Sequence, residues 1–158
     1  MSNLVDQARR IIADNIYLTL ATASLDGTPW ISPLFFAYDS DHRLYWVSAK
    51  DSRHSDLLRH NPRAAITIFD SHAPEGEGDG VYLEVSVTEL SDMAEITHAI
   101  ATLNSRVTKD AFRVKNVGQV TGTGVWRIYQ AKPVSVSKLT SGKYINGQYV
   151  DKRVKVDL

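Results

Sequence analysis

The 158-residue chain contains no cysteine. That absence excludes thiol nucleophiles, disulfide frameworks, thiolate zinc sites and cysteine-held iron–sulfur clusters. An excess of charge of one sign is missing as well. The 18 Lys and Arg balance the 18 Asp and Glu, so no global field recruits a nucleic acid or an anionic membrane. No segment approaches the roughly 20 consecutive apolar residues of a membrane span. Met1 to Ile12 carry Asp6, Arg9 and Arg10 where a signal peptide would be apolar. These absences together predict a soluble cytoplasmic protein. The five histidines, His42, His54, His60, His72 and His98, show no metal-ligand spacing, and no G-x-S-x-G elbow presents a serine nucleophile.

The composition that remains, 43% hydrophobic and 23% charged, is that of a single globular domain over residues 1–158 with one core. Ser2 or Asn3 can cap a short amphipathic helix in which Leu4, Ala8, Ile11 and Ile12 recur at helical spacing. From Ile16 to Ser24 the residues become β-branched and aromatic, and Asp26-Gly27 offers hairpin turn chemistry before a returning strand from Trp30 to Tyr38. Pro33 lies inside that strand and cannot donate to a ladder, which predicts an edge, a bulge or backbone opened toward a ligand. A third strand, Leu44 to Ser48, completes an expected meander.

Ser52 opens a helix running to His60, stopped by Asn61-Pro62. Strands follow at Ala64 to Phe69 and Val81 to Leu90, separated by a polar, glycine-rich loop whose Glu75, Glu77 and Asp79 lack the offsets of a calcium loop. Asp92 caps a further helix with Met93, Ile96, Ile100 and Leu103 as its expected apolar stripe. Gly118 to Gly124 reads as a turn, because a strand and not a helix follows it. Strand character resumes at Gly124 to Tyr129 and at Val134 to Lys138, on either side of Pro133, and Asn146-Gly147 reads as a type I′ hairpin. Six or seven short strands with two or three helices, in no alternating rhythm, predict a mainly β, antiparallel barrel with appended helices.

The chemistry concentrates where the third strand meets the second helix. Ser48, Lys50, Ser52, Arg53 and His54 crowd a helix start, where unpaired amides and the positive end of the dipole face outward. Hydroxyls, a guanidinium and an ammonium in that setting make an anion pocket, most often for phosphate. The competing reading makes Ser52 only an N-cap and leaves the cations solvated. His54 is the histidine placed to reach a ligand there.

In order along the chain, Tyr17 to Thr22, Asp26-Gly27-Thr28-Pro29, Ile31-Ser32-Pro33-Leu34-Phe35-Phe36, Leu44 to Ser48, Ser52-Arg53 and Asn61-Pro62 resemble the pyridoxamine 5'-phosphate oxidase-like, FMN-binding split barrels. The likeness is fullest over residues 5 to 90. It implies a homodimer that binds FMN in clefts between the chains. It further implies that Ser52 and Arg53 hold the phosphate, that Val47 and Ser48 line the flavin, and that Ile31, Ser32 and Pro33 flank its ring. Lys50 is added to that set from the charge at the helix start. The implied activity is a flavin-dependent oxidoreductase acting on a small organic substrate. Two departures separate the chain from vitamin B6 oxidation. His54 stands where family members that oxidise pyridoxamine phosphate carry lysine, and Lys143-Tyr144-Ile145-Asn146 replaces their Arg-x-His segment. The same barrel also serves deazaflavin- and haem-binding proteins, so a non-catalytic binder or sensor of flavin, deazaflavin or haem remains the alternative.

Overall fold

A computed structural model describes residues 3–158; Ser2, one of two residues expected to cap the first helix, lies outside them. The other, Asn3, does cap it, accepting the Asp6 amide at 2.8 Å on its side-chain oxygen. Helix α1 (Leu4–Asp14) presses Ala8 and Ile12 into the core. Three α-helices and eight strands follow one another as α1, β1 (Tyr17–Ala23), β2 (Pro29–Phe35), β3 (Ala37–Tyr38), β4 (Leu44–Ala49), α2 (Arg53–His60), β5 (Arg63–Phe69), β6 (Gly80–Glu89), α3 (Met93–Arg106), β7 (Trp126–Ile145) and β8 (Gln148–Lys155). Two single 3₁₀ turns, Asp110–Phe112 and Val117–Gln119, fill the stretch between α3 and β7.

All the ladders are antiparallel, in the order β2-β1-β5-β6-β7-β4-β3, with β8 added to β7. The sheet curls because its two ends are one piece of chain. Strand β2 forms one edge and β3 the other, and only Phe36, fully buried, separates them. The segment therefore leaves the β1 side at Phe35 and joins β4 at Ala37, which makes a split barrel. This corrects the expected meander: β2 does not pair with β4, whose long ladder is with β7. Pro33 sits on edge strand β2, opposite Thr19, as its missing donor requires.

One more expectation changes, and another holds in part. The strands foreseen on either side of Pro133 are one 20-residue strand. A register shift after Glu84 pairs Val85 with Pro133 and leaves Val134 as the extra residue, so the ladder passes the proline without needing its amide. The stripe expected on α3 holds at Ile96 and Leu103, which are buried, and at Ile100, which is partly buried beside them; Ala99 joins it, and Met93 at the first position is exposed. The turn residues Asn146 and Gly147 both have positive φ, 50° and 81°, as a type I′ hairpin demands. Gly124 is tightly packed in its turn, since a Cβ there would lie 2.5 Å from the carbonyl oxygens of Gly118 and Gln119.

Burial is divided between two clusters and not gathered into one. Inside the barrel, Leu18, Leu20, Phe36, Trp46, Ile66, Ile68, Leu83 and Tyr129 pack together, with Trp46 and Tyr129 stacked 5.8 Å apart. Under α3, Tyr45, Ile96, Leu103 and Ile128 form the second cluster. Strand alternation explains the division: Trp46 and Tyr129 face inward across the β4–β7 ladder, and Val47 and Ile128 face α3.

Candidate functional site

Helix α2 begins where β4 ends, and Ser52 at the junction caps it. The Ser52 side chain accepts the Ser55 amide at 3.4 Å, and its carbonyl accepts the Asp56 amide at 3.0 Å. The first two helical amides, of Arg53 and His54, have no intrahelical acceptor and point along the positive end of the helix. The hydroxyl of Ser52 donates to Ser55 Oγ at 2.8 Å, and Ser55 in turn donates to the Ala49 carbonyl at 2.9 Å. The turn is therefore tied back onto β4 before any ligand arrives.

His54 is the hub of the junction. Its Nδ1 lies 3.3 Å from Ser32 Oγ on β2, and its Nε2 lies 2.7 Å from Ser48 Oγ on β4 and 3.2 Å from Ser52 Oγ. One imidazole thus joins β2, β4 and the start of α2. Burial lowers its pKa below the ordinary imidazole value. The ring is consequently neutral at pH 7, with one nitrogen donating and the other accepting. Ser32 and Ser48 are buried, so their hydroxyls depend on this ring for partners.

Arg53, one residue earlier, is exposed and makes no ion pair among the described residues. Its guanidinium lies over the Trp30 ring, 4.8 Å from the centroid. Lys50 is half-buried; its amide donates to the Val125 carbonyl at 2.9 Å, and its own carbonyl accepts Arg59 Nη2 at 2.7 Å. Opposite Ser48 in the ladder stands Arg127, whose guanidinium is committed to Glu89 and to the carbonyls of Gly122, Gly124 and Trp126.

Of the residues singled out in the sequence, Ser32, Ser48, Ser52, Arg53 and His54 come together here, and Lys50 sits at the edge of the group. Ile31 and Pro33 do not join them through their side chains. Alternation along β2 turns both to the outer face, where Ile31 lines a groove of about 340 Å³ with Thr19, Ala21, Ala65, Thr67 and Tyr82. Val47 packs toward α3, away from Ser48. Sequence reading missed the stack of Trp30 under Arg53. The signal was a tryptophan on an edge strand with no partner demanded by periodicity. Among the described residues no group of three or more His, Asp or Glu could hold a metal ion, and no helix is long and apolar enough to cross a membrane.

A phosphate fits this donor set: free helical amides and an exposed guanidinium with unspent N–H groups, at a turn that the serine hydroxyls and His54 hold in place. Haem iron fits it poorly. Both nitrogens of His54 already lie within hydrogen-bond reach of serine hydroxyls, so ligation through this histidine would break at least one of those bonds.

Comparison with known proteins agrees with the architecture. Residues 4–133 match the family described as pyridoxamine 5'-phosphate oxidase. A UPF0306 protein of Haemophilus ducreyi is 26% identical over 144 residues, covering 88% of each chain. Among solved structures, a heme binding protein from Mycobacterium smegmatis superposes with a TM-score of 0.72 at 18% identity. It covers 98% of this chain, which spans 59% of that protein. An FAD-binding protein from Mesorhizobium loti gives a TM-score of 0.62 at 21% identity, covering 87% of this chain and 94% of its own. At these identities the two structures share the fold.

Proposed function

The chain belongs to the pyridoxamine 5'-phosphate oxidase family, and on that premise we propose that it is an FMN-binding flavoprotein, a flavin-dependent oxidoreductase acting on a small organic substrate. One observation carries the reading: Arg53 projects an unpaired guanidinium beside the unsatisfied first amides of α2, at the end of the strand that presents Ser48. That combination suits a phosphate monoester. In this reading Arg53, the amides of α2, Ser52 and Lys50 hold the phosphate. The backbone of Ile31, Ser32 and Pro33 on edge strand β2 borders the ring, because an edge strand keeps ladder groups free for a ligand. His54, neutral, fixes the three serine hydroxyls and adds no charge of its own.

FMN, when bound, supplies the hydride chemistry. The protein supplies binding, orientation and exclusion of water. A second copy of the chain completes the site: the outer face of β1 and β5 carries small residues, Thr19, Ala21, Ala65 and Thr67, beside exposed Ile31, and Tyr82 of β6 borders it under Arg153. Such a face permits close approach of another sheet, and a homodimer seals the cleft over the ring. The neutral charge balance leaves nucleic acid and membrane surfaces out of this proposal.

The test is the ultraviolet-visible spectrum of the freshly purified protein, with mass spectrometry of the small molecule released on denaturation. Released FMN, reduced by NADH or NADPH and reoxidised by an acceptor, is the expected result. A Soret band would assign the haem-binding alternative, and a released deazaflavin would replace FMN by its analogue. Bound flavin that no common donor reduces would make the protein a binder or sensor and not an oxidoreductase.

A further inference from the structure

The cation of the proposed phosphate subsite does not stand alone in solvent. Resting on the flavin-phosphate reading above, we propose that Trp30 is a positioning residue for phosphate monoesters, holding Arg53 against its ring so that the guanidinium edge is presented to the ligand. The contact is direct, at 4.8 Å from guanidinium carbon to ring centroid. Stacking engages the flat face of a guanidinium and leaves its in-plane N–H groups unspent, whereas a carboxylate partner would consume those same groups.

Several other arginines show the contrast, and Arg153, which also lies over a ring, that of Tyr82 at 3.8 Å, does so on β8 and not at a helix start. Arg43 and Arg59 spend N–H groups on carboxylates. Arg106, Arg113 and Arg127 spend theirs on backbone carbonyls. Arg53 is exposed, stacked and otherwise unpartnered among the described residues. A long exposed side chain ordinarily loses rotamer freedom when it grips a ligand, and a ring that already restricts it reduces that loss.

Trp30 itself is anchored for the task. It pairs with Thr22 in the β1–β2 ladder, and its carbonyl accepts the Thr22 hydroxyl at 3.3 Å. The residue is 42% exposed, so the core does not account for its position. Edge strand β2 thus contributes to both parts of the site: Ser32 reaches His54, and Trp30 reaches Arg53.

FMN and riboflavin, which differ only by the phosphate, are titrated into the wild type and into Trp30→Tyr, Trp30→Leu, Arg53→Ala and the Arg53→Ala/Trp30→Leu double variant, following flavin fluorescence. Trp30→Leu should weaken FMN binding about two- to fivefold, the range of an exposed cation–π contact. Trp30→Tyr should restore most of it, riboflavin affinity should not change, and Trp30→Leu should have no further effect once Arg53 is gone. Equal losses for FMN and riboflavin, or a full additional loss in the double variant, would overturn the proposal. Failure of the wild type to bind FMN would sink the flavin reading by itself. Inorganic phosphate, titrated by calorimetry into the same proteins, then decides: affinity weakened about two- to fivefold in Trp30→Leu and further in Arg53→Ala sustains the pair, and no binding by the wild type ends it.

Discussion

His54 Nε2 lies 2.7 Å from Ser48 Oγ, so the first turn of α2 is fastened to the end of β4 by a neutral imidazole. The same ring reaches Ser32 on β2. Two strands that share no ladder are thereby held at a fixed separation, and whatever binds over the helix start meets a preorganised surface.

This fastening is pH-dependent. An imidazole whose pKa is lowered in the native state binds fewer protons there than in the unfolded chain. Its contribution is therefore complete above the ordinary value of about 6.5 and is lost as pH falls through that value toward the native one. His54→Gln keeps an amide at the site and removes the titration. The stability difference between wild type and variant, from urea unfolding, should shrink between pH 7.5 and pH 5. His42, whose pKa is also lowered, is present in both proteins and cancels. A difference constant with pH would mean that the ring does not titrate in that window.

Arg53→Ala removes a charge-assisted contact worth about 1.5–3 kcal/mol. FMN affinity should fall roughly ten- to a hundredfold while thermal stability stays nearly constant, since the side chain is exposed. An unchanged dissociation constant by calorimetry would remove Arg53 from the phosphate site.

Arg106 secures the closure of the barrel. Its guanidinium donates to the carbonyls of Ala13 at 2.9 Å, Asn15 at 2.8 Å and Phe36 at 3.2 Å, and it stacks on the rings of Phe36 and Tyr38. Arg106→Ala leaves the end of α1 and the β2–β3 junction without donors, and should cost about 2–4 kcal/mol by chemical denaturation. Arg106→Lys, with a point charge in place of a planar fork, should recover only part of it. Full recovery by lysine would show that charge, and not the fork, is what matters.

Lys138 is 2% exposed, and its Nζ lies 2.6 Å from each oxygen of Asp79. Asp79→Ala strands a buried ammonium and should cost about 3 kcal/mol. Lys138→Met leaves the carboxylate, which is 43% exposed, free to hydrate, and should cost under about 1 kcal/mol. The order of the two midpoints in a denaturant series checks the asymmetry, which a symmetric surface pair would not show.

The local chemistry of the chain was written in its sequence. Asn3, Ser52 and Asp92 cap helices because a short polar side chain before a helical run can take a free amide, and that rule needs no distant partner. The Asn146-Gly147 turn follows from backbone sterics for the same reason. The crowding of Ser48, Lys50, Ser52, Arg53 and His54 was also legible, since all lie within seven consecutive residues. Lys138 could have been read as buried from its alternation with Val136, and Asp79 as its partner could not.

Tertiary structure decided everything that depends on residues far apart in the chain. Whether the segment from Trp30 to Tyr38 makes one strand or crosses between two sheet edges depends on β7, nearly a hundred residues away, taking the place beside β4. Whether Pro133 ends a strand depends on a register shift in its neighbour β6. The meeting of Ser32 with His54, and of Trp30 with Arg53, depends on how the barrel curls. Periodicity assigns each residue to a face of its own element; only the packing of those faces against one another determines which residues meet.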